Sequence, residues 1–280
     1  MTQTPNPLRQ FFRQPKIYLR LPSLGRYWPS GSLDLPENGE IPILPMTAID
    51  EITYRTPDAL FNGQAVVSVI ESCCPNIKNA WAAPSVDIDS ILVAIRIASY
   101  SHELEMETVC PSCENREEYT LDLRQVLDTF RLPNYEETIN NGDLEIHFAP
   151  INYKLMHENN LIRFNEQRMM QMLPDPALSE DEKVKILNNA LVKITEMTVN
   201  TLTMSISLIK TPGAIVTESE HINDFLKNCD RALFNTIRDH IVSLRESAEI
   251  KPLDVKCPAC GHEYQQPFTL DQANFFAPAS

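Results

Sequence analysis

Glycine is scarce in this sequence, with 7 glycines against 21 prolines in 280 residues. Neither GxGxxG nor GxxxxGK[ST] occurs, so the sequence offers no phosphate-cradling loop of the kind that nucleotide-binding proteins use. Each proline instead fixes its own φ and pushes the preceding residue out of the helical region. This composition predicts stiff, extended connections between the elements of the fold.

Long apolar runs are also missing, and no stretch approaches the roughly 20 apolar residues that span a bilayer. Residues 1–22 lack the apolar core that a secretory signal requires. Hydrophobic residues nevertheless make up 43% of the chain, which is enough for a buried core. We therefore expect a folded, soluble, intracellular protein that does not act at a membrane.

Positive charge is in deficit, since 24 lysines and arginines face 38 aspartates and glutamates and the net charge is −14. Such a surface repels phosphate backbones and anionic lipids, which makes nucleic-acid binding unfavourable. The cations are densest in the N-terminal arm, which we expect to rest on the acidic body or on an acidic partner. The arm's cations are Arg9, Arg13, Lys16, Arg20 and Arg26.

Catalytic motifs are absent as well. No GxSxG nucleophile elbow occurs. His-Glu pairs begin at His102, His157 and His262, but none continues to the second histidine of HExxH. Asp87 and Asp89 lie in or beside a predicted helix, where they are expected to interact with the helix dipole. We predict no catalytic residues and no enzymatic activity.

Helical periodicity is clearest in two segments. In Val86–Tyr100, apolar residues recur at three- and four-residue spacing, and Arg96 is predicted to pair with a buried carboxylate, Asp50 or Glu51. A capping box at Ser179–Glu182 opens a helix that is predicted to extend to Ile209. The apolar stripe of that helix, expected to pack in the core, is Val184, Leu187, Leu191 and Ile194. Other predicted helices are Thr47–Tyr54, Pro57–Phe61, Gln64–Cys74, Tyr153–Leu173 and a segment from a capping box at Thr217–Glu220 to Leu244.

Seven cysteines occur, and four of them form two matching units, Cys110-Pro111-Ser112-Cys113 and Cys257-Pro258-Ala259-Cys260. A CxxC turn brings two thiolates to one side of a metal ion, and two such knuckles complete a tetrahedral site for structural zinc. Strand-like residues flank both units, so each is predicted to be a β-hairpin with the knuckle at its tip.

The two knuckles are separated by Glu114–Lys256, far more than the usual ~15 to 20 residues. We therefore predict an α+β fold, mostly helical, with a small β zinc ribbon formed by two distant CPxC hairpins and a helical insertion between them. The predicted domains are an N-terminal arm and loop (1–45), a helical domain (46–105), a discontinuous ribbon with the C-terminal tail (106–150 and 251–280) and an inserted helical bundle (151–250).

Other uses of the cysteines stay open. Redox chemistry places CxxC at a helix N-terminus, and disulfides suit secreted chains, so neither fits these flanks well. A catalytic metal requires an open coordination position, and His262 is an alternative fourth ligand. Cys229 is interpreted as a core thiol. Cys73 and Cys74 end a predicted helix before Pro75, and they are expected neither to pair with each other nor to bind a metal.

Several segments together resemble the baseplate hub protein family of T-even-like, contractile-tailed bacteriophages, over most of the chain. The sequence departs from the family pattern at Glu114, where a knuckle glycine is usual, and at Ser101-His102. The matching segments, in order, are Pro22–Tyr27, Pro45–Thr47 with Asp50-Glu51, the helix end at Cys74, Ile95–Tyr100, the two knuckles and Asn274-Phe275-Phe276.

The resemblance implies a structural or assembly role in the hub of the tail baseplate, in the virion and in the host cytoplasm during assembly. It leaves open whether the protein is a permanent subunit or an assembly chaperone. The implied partners are other baseplate or tail hub proteins, with self-association also open. Candidate partner-binding residues are Tyr27, Trp28, Phe275 and Phe276. The competing hypothesis is a zinc-ribbon adaptor that binds nucleic acid or a transcription complex.

Overall fold

The computed structural model describes residues 6–55, 63–171, 173, 179–268, 270 and 275–276. The chain forms two compact units. The first comprises Met1–Ala80, Asp87–Phe130 and Ile250–Ser280, and the second comprises Trp81–Val86 and Arg131–Glu249. Helices and antiparallel strands occur in both, which confirms the predicted α+β class. The finer division into arm, helical domain, ribbon and insertion stays a prediction.

The first unit opens with a 3-10 turn at Pro7–Phe11 and a pair of short antiparallel strands. Strand β1 (Ile17–Leu19) pairs with β2 (Ile41–Ile43), and Pro42 lies opposite Tyr18. Proline has no amide hydrogen to donate, so β2 suits the edge of a sheet.

The core of the first unit comes mainly from α1 (Ala48–Tyr54), α2 (Gln64–Cys73) and α3 (Ser85–Ser99). A capping box starts α1, since Thr47 and Asp50 exchange backbone and side-chain hydrogen bonds. The predicted stripe of α3 is buried, which follows from its three- and four-residue spacing. Its members are Ile88, Ile91, Leu92 and Ile95, all at most 1% exposed, and Ala98, which is 8% exposed.

Asp87, near the start of α3, is fully buried. Its carboxylate accepts hydrogen bonds from the Ser23 amide (2.8 Å), the Ser23 hydroxyl (2.5 Å) and the Trp28 indole nitrogen (2.8 Å). Burial raises the pKa of Asp87, although these three hydrogen bonds act in the opposite direction. The carboxylate therefore fastens the loop that holds Ser23 and Trp28 to α3, a role that the sequence did not predict.

The two carboxylates predicted to pair with Arg96 are bound by other residues: Asp50 pairs with Arg13 at 3.0 Å, and Glu51 accepts a hydrogen bond from the Tyr100 hydroxyl. The Arg96 guanidinium instead donates to the carbonyl oxygen of Phe275 and lies 5.3 Å from the centre of the Phe275 ring. Arg96 thus binds the C-terminal tail.

The second unit combines an antiparallel sheet with amphipathic helices. Its strands follow the order β5-β6-β7-β8, and its core lies between the sheet and the last two helices. The strands are β5 (Ile139–Asn141), β6 (Leu144–Phe148), β7 (Ile206–Lys210) and β8 (Ile215–Val216). The helices are α5 (Tyr153–Gln171), α6 (Glu180–Ser205), α7 (Ser219–Asn228) and α8 (Arg231–Ala248), while α4 (Leu123–Leu127) belongs to the first unit.

Two boundaries in the second unit differ from the prediction. The helix α6 begins at the predicted Ser179–Glu182 capping box but ends at Ser205, not at Ile209, because the following residues form β7 and pair with β6. The predicted capping box at Thr217 is also wrong, since Glu218 is the N-cap residue of α7 and makes no side-chain capping bond. The segment beyond it breaks into α7 and α8 at Asp230, which caps α8.

The apolar stripe of α6 does not pack in the core as expected. Val184, Leu187 and Leu191 are 54%, 41% and 51% exposed, while Ala190 and Met197 on another face are buried. Periodicity therefore identified the apolar face of the helix correctly, but the prediction that the core covers this face was wrong. Among the residues that the structure describes, no helix has the length and hydropathy of a bilayer span. The helix predicted over Pro57–Phe61 lies outside the described residues.

Candidate metal centre

Two β-hairpins of the first unit position the four clustered cysteines. Strands β3 (Glu103–Val109) and β4 (Arg116–Asp122) pair antiparallel and end at the pair Val109–Arg116. Strands β9 (Leu253–Lys256) and β10 (Glu263–Gln266) pair in the same way and end at Lys256–Glu263. Each hairpin therefore carries one CPxC segment in its connecting loop, as the sequence predicts.

The two loops share one hydrogen-bond pattern. The Cys110 amide donates to the Asn115 carbonyl at 2.9 Å, and the Cys257 amide donates to the His262 carbonyl at 2.9 Å. In each loop, the amide of the residue after the second cysteine donates back to the carbonyl of the first, at 2.9 and 2.8 Å. The knuckles are therefore two copies of the same turn.

The residue after the second cysteine takes a left-handed conformation in both turns. Gly261 has φ = 73°, and Glu114 has φ = 57°. This region is free of strain for glycine but costs a side chain with a Cβ roughly 1 kcal/mol or more. Glu114 thus keeps the knuckle geometry without the usual glycine, at the cost of local strain.

We expect Glu114→Gly to raise the free energy of unfolding by about 1 kcal/mol, because it relieves this strain. Gly261→Ala should lower it by a similar amount, although no atom lies within 4 Å of the added Cβ. Urea unfolding of the metal-loaded protein measures both effects. Glu114→Ala is the control, since it removes the charge but keeps the Cβ. A gain in stability for the alanine variant equal to that of the glycine variant would contradict the explanation.

The four sulfur atoms converge on one point. All lie within 4.8 Å of one another, and two close pairs join different hairpins. The Sγ–Sγ distances are 3.7 Å for Cys110–Cys260 and 3.7 Å for Cys113–Cys257. Zinc–thiolate bonds of roughly 2.3 Å in a tetrahedron place the sulfurs about 3.8 Å apart, so the spacing fits a metal ion at the centre.

The thiols also affect each other's protonation. Burial opposes charge on the Cys110 sulfur, but the amides of Cys113 and Ser112 and the neighbouring thiols donate to it and lower its pKa to about 7. The Asn115 amide likewise lowers the pKa of Cys113. The neighbouring sulfurs, above all that of Cys260, outweigh this effect and raise the pKa of Cys113 to about 12. Four adjacent thiols cannot all lose their protons unless a cation among them takes up the charge.

No histidine or carboxylate joins the four cysteines within the part of the chain that the structure describes. The ring of His262, considered as an alternative ligand, stacks on the ring of Tyr264 with an angle of 9° between the planes. Four thiolates fill a tetrahedral coordination sphere and leave no open position for a substrate. The cluster can therefore hold a metal ion in the manner of a structural site.

The other cysteines lie apart from the cluster. Cys73 and Cys74 are fully buried at the end of α2, and burial raises the pKa of the Cys73 thiol to about 12. Cys229 is partly buried beside α7, and its pKa is also raised, mainly by burial. Raised pKa values disfavour the thiolate, so these residues have the character of unreactive thiols, the role predicted for Cys229.

The predicted partner-binding residues fall into two groups. Phe275 and Phe276 are 6% and 3% exposed, and Phe276 meets Tyr54 edge to face, with 4.7 Å between ring centroids. Tyr27 is 36% exposed, and Trp28 is partly buried against Asp87. The two phenylalanines are thus docked on the chain itself, and a contact of any of the four predicted residues with a partner stays a prediction.

Comparison with models of known protein families gives a match over most of the chain. A family model described as T4 bacteriophage base plate protein matches residues 29–277. No curated protein and no solved structure matches the chain significantly. The matched segment contains both CPxC hairpins, the sheet and all the helices named above.

Proposed function

The chain belongs to the family of T4 bacteriophage base plate proteins, and on this premise we propose that it acts in the hub region of the baseplate. The family supports a structural role in the phage tail, in contact with other tail proteins. The hub assignment rests on the ordered segments of the sequence that resemble hub proteins, from Pro22–Tyr27 to the C-terminal phenylalanines. We propose a binding role rather than catalysis, in the virion and, during assembly, in the host cytoplasm.

We further propose that the four cysteines hold zinc and that the zinc is structural. The observation that carries this proposal is the convergence of Cys110, Cys113, Cys257 and Cys260 from two distant hairpins. Soft thiolate ligands in a tetrahedron favour zinc or iron–sulfur chemistry over magnesium or calcium. A closed all-cysteine site with the CPxC spacing is typical of structural zinc.

The zinc would join the middle of the chain to its end. The hairpins β3–β4 and β9–β10 pair in separate sheets, so no backbone ladder links them. Isolated two-stranded hairpins are marginally stable in water. A metal bound by both knuckles therefore supplies the connection that their own hydrogen bonds do not.

The alternative of a nucleic-acid-binding adaptor gains no support from the family or from the ribbon. The outward-facing residues of β3 and β4 are mostly acidic, with Arg116 as the single cation in these two strands. Phosphate binding requires the opposite charge.

Quantitative mass spectrometry of purified particles of the source phage tests the hub role. The chain is counted against a tail protein of known copy number. A fixed ratio of a few copies per tail supports a permanent hub subunit. Absence from particles, with presence in baseplate intermediates from infected cells, supports an assembly chaperone of the hub. Absence from both particles and baseplate intermediates would overturn the proposal.

A further inference from the structure

The N-terminal arm presents an unusual exposed apolar segment. In the turn Pro7–Phe11 and the residue after it, Leu8, Phe11 and Phe12 are 62%, 75% and 54% exposed. Single exposed apolar side chains are ordinary, but three within five residues form a patch of the kind that marks interaction sites. More than half of the surface of each of these side chains is therefore left open by the described part of the chain.

The base of the arm is fixed firmly. The Arg13 guanidinium donates to the Pro45 carbonyl at 2.6 Å and to the Asp50 carboxylate at 3.0 Å. Its other terminal nitrogen donates to the carbonyl and the hydroxyl of Ser72, both at 2.7 Å. An anchored segment loses less conformational freedom on binding than a free tail, so this anchor favours docking.

Charge is divided sharply between the first 33 residues, which make up most of the arm, and the rest of the chain. Residues 1–33 contain five cations and no carboxylate, since the first acidic residue is Asp34. The other 247 residues therefore carry 19 cations against 38 carboxylates. A basic, apolar arm is complementary to an acidic surface with an apolar element.

The outer face of the hairpin β3–β4, in the same unit, has this character. Glu107 and Glu118 lie directly opposite each other, and like charges in that position are unfavourable in the free protein. Glu105 is exposed on the same face, and Val109 is 48% exposed at its end. Arg116, the single cation in these two strands, lies 3.4 Å from Glu107. The strands therefore supply no cation to the other carboxylates of this face.

From these features we infer that the arm of one copy docks on the outer face of β3–β4 of a second copy. Leu8, Phe11 and Phe12 pack around Val109, and Arg9 lies among the glutamates. The seven-residue strands extend roughly 23 Å, which accommodates a 3-10 turn of roughly 10 to 12 Å.

This contact is heterologous, because it joins two different surfaces of the same chain. Repeated contacts of this type form a closed ring or an open chain of copies. The inference goes beyond the hub proposal and does not depend on it, since association is measured on purified protein without phage.

Sedimentation velocity of the zinc-loaded full-length protein tests the inference, over a range of concentrations and at two salt concentrations. We expect association that weakens at least several-fold between low and high salt. The double variant Phe11→Ser/Phe12→Ser and the double variant Glu107→Lys/Glu118→Lys should each lose tenfold or more in association constant. Ile215→Ser, at a residue 64% exposed in the second unit, is the control and should associate like the wild type.

Mixing the two double variants gives the sharpest test. Each variant alone lacks one of the two surfaces, but the mixture contains one intact arm and one intact acidic face. The mixture should therefore form a one-to-one dimer and nothing larger. Unchanged melting temperatures of the variants exclude misfolding as the cause of lost association.

Three outcomes would overturn the inference. A wild-type protein that stays monomeric at every concentration and salt shows that the second copy is not the occupant. If the arm variant loses association but the Glu107→Lys/Glu118→Lys variant does not, the arm binds a surface other than β3–β4. Failure of the mixture to dimerise, when each variant alone is monomeric, excludes the pairing of these two surfaces.

Discussion

Cys257→Ser is expected to lower the melting temperature of the protein strongly and to abolish stoichiometric metal binding. The unfolded chain has no preformed site, so the free energy of zinc binding contributes directly to folding. In zinc-finger peptides that contribution is roughly 10 to 16 kcal/mol. Since the first unit also has a core around α3, we expect a loss of several kcal/mol rather than complete unfolding.

Hydrogen exchange shows where the stability is lost. The amides of Glu103–Asp122 and Leu253–Gln266 should exchange rapidly in the variant or after chelation, because two-stranded hairpins are marginal alone. The amides of the sheet β5–β8 should keep most of their protection, because that sheet has its own core. The wild-type protein should contain one zinc per chain by elemental analysis.

Cys229→Ser is the matched control, because this cysteine is partly buried and stands outside the cluster. It should retain one zinc and nearly the wild-type melting temperature. An unchanged melting curve after complete removal of the metal would refute the structural role. Iron in place of zinc, with the absorption of an iron–sulfur centre, would refute the assignment of the metal as zinc. It would not refute the proposal that a metal ion links the two hairpins.

The local part of this site was predictable from sequence because its geometry is local. A CxxC turn fixes the positions of two sulfurs within a few residues, and β-strand residues on both sides define a hairpin. That the two distant knuckles meet followed from chemistry, since the two thiolates of one knuckle leave a tetrahedral site half filled. The conformation of Glu114 was not predictable, because a non-glycine residue is uncommon at positive φ.

The surroundings of amphipathic faces were not predictable in the same way. The stripe of α6 has core periodicity at Val184, Leu187 and Leu191, yet these residues are exposed. Periodicity shows which side of a helix is apolar, but the residues that cover it come from distant parts of the sequence. Likewise, β7 continues directly from α6, and its pairing with β6 decides its conformation over the local helical pattern.

Asp87 and Arg96 show the same limit for buried charges. The sequence placed Asp87 near a helix N-terminus, where the dipole is a sufficient explanation. Its hydrogen-bond partners, Ser23 and Trp28, lie 64 and 59 residues away, and no short-range pattern connects them. Arg96 was expected to be structurally important, and it donates to the carbonyl oxygen of Phe275, which lies 179 residues further along the chain.

Asp87→Ala is expected to destabilise the first unit by roughly 3 to 5 kcal/mol, because it leaves the buried donors of Ser23 and Trp28 without an acceptor. Asp87→Asn should cost less, about 1 to 3 kcal/mol, because its single amide oxygen replaces only part of the carboxylate. Urea unfolding followed by the fluorescence of Trp28 and Trp81 measures both losses. Asp128→Asn, at an exposed carboxylate of the same unit, is the control for the loss of a carboxylate and should cost clearly less.

The pH dependence of the free energy of unfolding shows whether burial of the charged Asp87 carboxylate costs stability, apart from the hydrogen bonds that Asp87 accepts. Burial raises the pKa of Asp87 above its ordinary value of 3.8, so the folded state holds the proton more tightly than the unfolded state. The stability that Asp87 contributes is therefore greatest below the unfolded pKa and falls as the pH rises through the folded pKa. The wild type should exceed Asp87→Asn by more at acidic pH than at neutral pH, because asparagine does not titrate. A stability difference that stays constant across this range would show that the hydrogen bonds to Ser23 and Trp28 fully offset the cost of burying the charge.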